Sequence, residues 1–120
     1  MANVLIIDDD SDIRDYLRVV PEGAGHCVTA AGDGEEGLAL MSDDTEVLIT
    51  DIQMPKVEGL DVILLTKKSR PLLPIIAISG AGPIDGEMNA WLADKTGADD
   101  IFTKPFEHTK LLDSIDRLLA

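Results

Sequence analysis

Aromatic side chains are scarce: Tyr16, Trp91, Phe102 and Phe106 are the whole complement, 3 % of the 120 residues. A core for this chain must therefore be aliphatic, built from Leu, Ile, Val and Ala. Cysteine is scarcer still. Cys27 stands alone, so no internal disulfide can form, which suits a reducing compartment; it reads as a small core or half-core residue. Positive charge is short as well, with 10 Lys and Arg against 23 Asp and Glu and a net charge of -13. Such a surface repels phosphate backbones and anionic lipid, which argues against direct nucleic-acid or membrane binding. No apolar run approaches the roughly 20 residues needed to span a bilayer. Met1 leads almost at once into Val4-Leu5-Ile6-Ile7 and acids, with no basic region ahead of them. The expectation is a cytoplasmic chain without signal peptide or membrane span.

What is present is regular alternation, with no repeat, low-complexity tract or linker, so residues 1–120 read as one domain. Val4 to Ile7 is an apolar run ending in three aspartates. Asp10 or Ser11 can cap a following helix whose Ile13, Leu17 and Val20 recur at helical spacing, and which Pro21 and Gly23 to Gly25 stop. Cys27 to Ala30 is a second strand. Asp33-Gly34 is a turn, and Glu35 to Met41 a helix. Val47 to Thr50 is the third strand, ending at Asp51. Gly59 to Lys68 carries Leu60, Ile63 and Leu64 as a helical stripe. Ile75 to Ile78 is the fourth strand, ending at Ser79. Gly86 to Thr96 is a helix with Met88, Trp91 and Leu92 on one face. Ile101 to Thr103 is a short strand before Lys104, and Glu107 to Leu119 the last helix, with Leu111, Leu112, Ile115 and Leu118. Strands alternating with helices, and apolar along their length, predict an α/β, doubly wound, five-stranded parallel sheet covered on both faces by five helices.

In such sheets the site lies beyond the carboxyl ends of the strands. Those ends here carry Asp8, Asp9 and Asp10, then Asp51, Ser79 and Lys104. Carboxylates about 4 to 5 Å apart repel by a few kcal/mol per pair at an effective dielectric near 20. A hard cation among them removes that cost. Oxygen ligands with open positions suit Mg2+, which commonly also binds a phosphate. A carboxylate can itself attack phosphorus to give an aspartyl phosphate, with Lys and Mg2+ neutralising the transition-state charge and a Ser hydroxyl adding a hydrogen bond.

Val4-Leu5-Ile6-Ile7-Asp8-Asp9-Asp10, Leu48 to Pro55, Ile78-Ser79-Gly80 and Thr103-Lys104-Pro105-Phe106 resemble the signatures of bacterial two-component response regulator receiver domains, of the single-domain chemotaxis-regulator kind. The likeness extends through Gly97-Ala98-Asp99-Asp100. It implies flavodoxin-like strand order 2-1-3-4-5. It also implies a phosphorelay signalling role: Asp51 takes a phosphoryl group from a sensor histidine kinase or histidine phosphotransfer protein, and the chain then controls a downstream protein partner. Asp9 and Asp51 would ligate Mg2+ directly and Asp8 through water, with the Gln53 carbonyl as a further ligand. Ser79 and Lys104 would contact the phosphoryl group, and the Lys104–Pro105 peptide would be cis. Where the family often has an aromatic switch residue, three before the lysine, this chain has Ile101, and alternation sends Phe102 to the opposite face. Ile101 is stiff about its first side-chain torsion and has no polar tip, so activation is expected in the segment Gly80 to Gly86 and the helix after it.

The rival enzyme reading is a Mg2+-dependent aspartyl phosphatase of the haloacid dehalogenase type, with Asp8 as nucleophile. The chain is short for it, and no acidic pair follows Lys104 on a strand end. A flavodoxin-type carrier would need a phosphate loop after the first strand, where aspartates stand instead. His26 and His108 have no partner motif and read as surface or half-buried residues.

Overall fold

The computed structural model describes residues 2–52, 59–79, 97–103 and 106–120. Its elements follow the alternation: β1 (Asn3–Ile7), α1 (Ser11–Gly23), β2 (Cys27–Ala31), α2 (Gly34–Leu40), β3 (Val47–Asp51), α3 (Gly59–Ser69), β4 (Ile75–Ser79), β5 (Asp100–Thr103) and α4 (His108–Leu119). The five strands form one parallel sheet in the order β2-β1-β3-β4-β5. Four helices lie among the described residues; the helix expected over 86–96 falls outside them, as does the segment 80–86.

Period-two alternation splits the core into two layers. Leu5, Ile7, Leu48, Ile75 and Ala77 face α3 through Val62 and Ile63, with Leu38 of α2 against them. Val4, Ile6, Val47, Ile49, Ile76 and Ile78 face α1 and α4 through Leu17, Leu111 and Ile115. The three central strands are buried on both faces except at Asn3. Ile101 packs on the first layer and Phe102 on the second, as alternation requires. Phe102 there meets Phe106, ring centroids 5.7 Å apart.

Three details differ from the expectation. Cys27 is exposed, because β2 is an edge strand and its register partner Asn3 is itself exposed. The helix α1 runs through Pro21 to Gly23. Proline in a helix interior usually costs about 3 kcal/mol, but Pro21 sits in the last turn, where its carbonyl accepts the Ala24 and His26 N–H groups, both at 3.0 Å. Gly25 donates to Glu22 O at 3.0 Å and holds φ at +93°, completing a glycine-terminated cap. Finally, Leu64 does not join the buried stripe of α3: it is 51 % exposed, and the buried positions among the described side chains of α3 are Val62, Ile63 and Thr66, with Leu60 outside them. His26 is half-buried, its Nδ1 accepting the Ala2 N–H at 3.0 Å, and His108 is exposed.

Asp99 ties the far end of the sheet together. Its backbone N–H donates to Ile75 O at 2.8 Å, and its Oδ2 accepts from Ile75 N at 2.8 Å and from Lys67 Nζ at 3.2 Å. We expect Asp99→Ala to lower stability by about 1 to 3 kcal/mol, because the Ile75 N–H loses its acceptor. Thr66 is the opposite case: Oγ1 is buried with no hydrogen-bond partner among the described residues. Thr66→Val should raise stability by about 1 kcal/mol. Urea midpoints at unchanged slope report both; a lower midpoint for Thr66→Val would contradict the second.

Candidate acidic site at the carboxyl edge of the sheet

The switch in strand direction of winding falls at β1, between its neighbours β2 and β3. The helices after β1 and β3 leave on opposite faces of the sheet, which opens a crevice at the carboxyl ends of those strands. Into it come the residues just beyond β1 and the last residue of β3.

Asp8 follows β1 directly and is wholly buried. Its N–H donates to Ala31 O at 3.1 Å, which prolongs the β1–β2 ladder by one step. Its Oδ1 accepts the Asp10 N–H at 2.9 Å, closing a tight turn. Asp10 is committed elsewhere. It is the N-cap of α1, and its Oδ1 accepts from Asp12 N at 2.9 Å and Ile13 N at 3.4 Å. Of the two candidate caps the structure selects Asp10, leaving Asp8 and Asp9 for the site. Asp9 is exposed.

Asp51 ends β3 and is 4 % exposed. Its register partner is Ile78, and the next backbone group, Ile52 N, donates to Ile78 O at 2.9 Å. That bond holds β3 against β4 one residue beyond Asp51. Ser79, 3 % exposed, closes β4 beside Thr103 of β5.

Carboxylate oxygens of Asp8, Asp9 and Asp51 all lie within 4.8 Å of one another. Three such oxygens, two from buried groups and one from an exposed group, make a half-open set of hard ligands. That donor set fits a divalent cation such as Mg2+, which takes one or two carboxylates and keeps waters elsewhere. The remaining candidates, Gln53 and Lys104, and the Lys104–Pro105 peptide lie outside the described residues. Lys104 follows Thr103 directly, so the sheet carries the chain to this edge just before it.

The sequence reading did not single out Arg14. Its Nη1 donates to the backbone oxygen of Asp8 at 2.8 Å. The only signal was a basic residue one turn past the cap, on a helix that starts at the acidic edge.

The response regulator receiver domain family model matches residues 4–116. The response regulator SaeR of Staphylococcus aureus strain USA300 is 34 % identical over all 120 residues; the chain spans 51 % of that protein, about half its length. Among solved structures, a receiver domain protein from Clostridium thermocellum aligns with a TM-score of 0.88 at 33 % identity, covering 99 % of this chain and 94 % of that one. The Vibrio cholerae chemotaxis protein CheY4 aligns at 0.86 and 28 % identity, covering 99 % of both chains. In the described residues, no helix is long and apolar enough to cross a membrane. With the acidic cluster where the sheet topology places it, the chain belongs to the response regulator receiver domain family.

Proposed function

We propose that the whole chain, residues 1–120, is a phosphoacceptor domain in which Asp51 takes a phosphoryl group from a phosphohistidine donor, a sensor histidine kinase or a histidine phosphotransfer protein. The observation that carries this reading is the convergence of Asp8, Asp9 and Asp51 within 4.8 Å. An Asp51 oxygen attacks phosphorus, the P–N bond to the donor imidazole breaks as the P–O bond forms, and the ring nitrogen leaves with the electron pair. Asp8 and Asp9, with Asp51, would hold Mg2+, and the Gln53 carbonyl would complete the protein ligands. Bound there, Mg2+ supplies charge neutralisation for the equatorial phosphoryl oxygens. Ser79 at the end of β4 would donate its hydroxyl to one phosphoryl oxygen and Lys104 its ammonium to another. The chain turns over no substrate beyond its own acyl phosphate. The modified state would then control a downstream protein, in the cytoplasm.

The phosphatase alternative asks Asp8 to attack. The use of one Asp8 oxygen by the Asp10 N–H, which closes the turn into α1, weighs against that.

Incubation with acetyl phosphate and Mg2+ should give a single acyl-phosphate adduct, labile in strong acid and in base, mapped to Asp51 by reductive trapping. Asp51→Asn should lose it, by at least roughly a hundredfold in extent, since an amide cannot act as the nucleophile. An adduct on Asp8 would establish the phosphatase reading instead.

Mg2+ should also raise the melting temperature. At ten times its dissociation constant it contributes about 1.4 kcal/mol, roughly 5 to 6 °C for a chain of this size. Asp9→Asn removes one charge from the cluster, so it should melt above wild type without Mg2+ and gain little on addition. Superimposable wild-type melting curves with and without Mg2+ would sink the metal assignment.

A further inference from the structure

We infer that Arg14 is a positioning residue of the acidic site, holding the peptide between Asp8 and Asp9 in the orientation that lets both carboxylates meet one divalent cation. This rests on the cation reading above. The carbonyl that Arg14 Nη1 bonds at 2.8 Å is that of Asp8, and this carbonyl belongs to the Asp8–Asp9 peptide unit. The unit is planar, so fixing its oxygen also fixes the Asp9 N–H and the direction in which the chain presents Asp9. The rest of the turn is held by other bonds: the Asp8 N–H by Ala31 O and the Asp10 N–H by Asp8 Oδ1. The carboxylate of Asp10 is spent on the α1 cap. Arg14 is thus the side chain that secures the one peptide joining two members of the cluster.

The site around Arg14 is shaped to receive it. Arg14 is partly buried, and a Cβ on Gly32 would come within 3.3 Å of its Nη1. Gly32, just past β2, therefore leaves the slot through which the guanidinium reaches the β1–α1 turn. The Gly32 N–H is anchored by Glu36 Oε1 at 2.9 Å. Partners that orient ligand-bearing groups in this way typically change metal affinity by 10- to 100-fold when removed.

Charge and position predict opposite signs. A cationic guanidinium beside a divalent cation repels it, so loss of the charge alone would tighten binding. Loss of the positioning bond would weaken it. Calorimetric titration of the intact chain with Mg2+ separates the two, at a temperature where each variant is folded. Arg14→Ala is expected to weaken Mg2+ binding roughly tenfold. Arg14→Lys keeps a donor of similar reach and should recover most of the loss. Arg18→Ala removes an equal charge one turn along α1, from a residue paired with Glu22 at 3.3 Å, and should shift affinity less than about twofold. Amide exchange should rise at Asp10 in Arg14→Ala while the β3 and β4 amides keep their protection. Equal or tighter Mg2+ binding by Arg14→Ala overturns the inference, as does failure of Arg14→Lys to recover any affinity. If wild type itself binds no Mg2+, the cation reading fails first, and this inference with it.

Discussion

Three carboxylates brought within 4.8 Å of one another are the constraint around which this molecule is organised. At such spacing each pair repels by about 3 to 4 kcal/mol at an effective dielectric near 20, a large fraction of the 5 to 15 kcal/mol by which domains of this size are ordinarily stable. The fold accepts that repulsion at its edge and offsets it in its core. Leu5, Ile6, Ile7, Leu48, Ile49, Ile75, Ile76 and Ile78 are fully buried in the three central strands. Each contributes on the order of 1.5 to 3 kcal/mol of apolar burial before entropy is charged against it.

The same strands decide where the strain appears. β1 and β3 are neighbours in register, Ile7 opposite Thr50, so Asp8 and Asp51 emerge side by side at their ends. The turn after β1 then shares out its three aspartates. Asp8 folds back on the Asp10 N–H, Asp10 caps α1, and Asp9 is left exposed toward solvent. A cation held there would meet one exposed ligand and two buried ones. The two buried ligands are tied to the sheet itself, through the Ile52–Ile78 and Asp8–Ala31 backbone bonds.

Much of this was legible in the sequence. Val47 to Asp51 and Ile75 to Ser79 are short apolar, β-branched runs whose length fits a strand buried on both faces better than a helix, and the polar residue closing each run marks the carboxyl edge. What the pattern could not supply was the position of each strand in the sheet. Cys27 looks like a core residue within Cys27-Val28-Thr29-Ala30, yet β2 lies at the edge, so it is exposed. Leu64 and Ile63 are equally apolar neighbours; only the direction of α3 over the sheet decides that Ile63 is buried and Leu64 is not. Pro21 reads as a helix stop, but a proline's carbonyl still accepts, and here it serves the cap. Arg14 escaped notice because its partner is a backbone carbonyl, which leaves no mark in the order of side chains.

The central claim is that Asp8, Asp9 and Asp51 form one cation site. Mn2+ shares the oxygen preference of Mg2+ and broadens the resonances of nearby nuclei, so sub-stoichiometric Mn2+ added to isotopically labelled protein locates the site directly. Broadening strongest at the amides of Asp8 to Asp10 and Asp51 to Gln53, and reversed by excess Mg2+, is the expected result. Broadening centred instead on the other acidic stretches, Glu35-Glu36 or Asp43-Asp44, with the Asp8 and Asp51 signals unchanged, would contradict it.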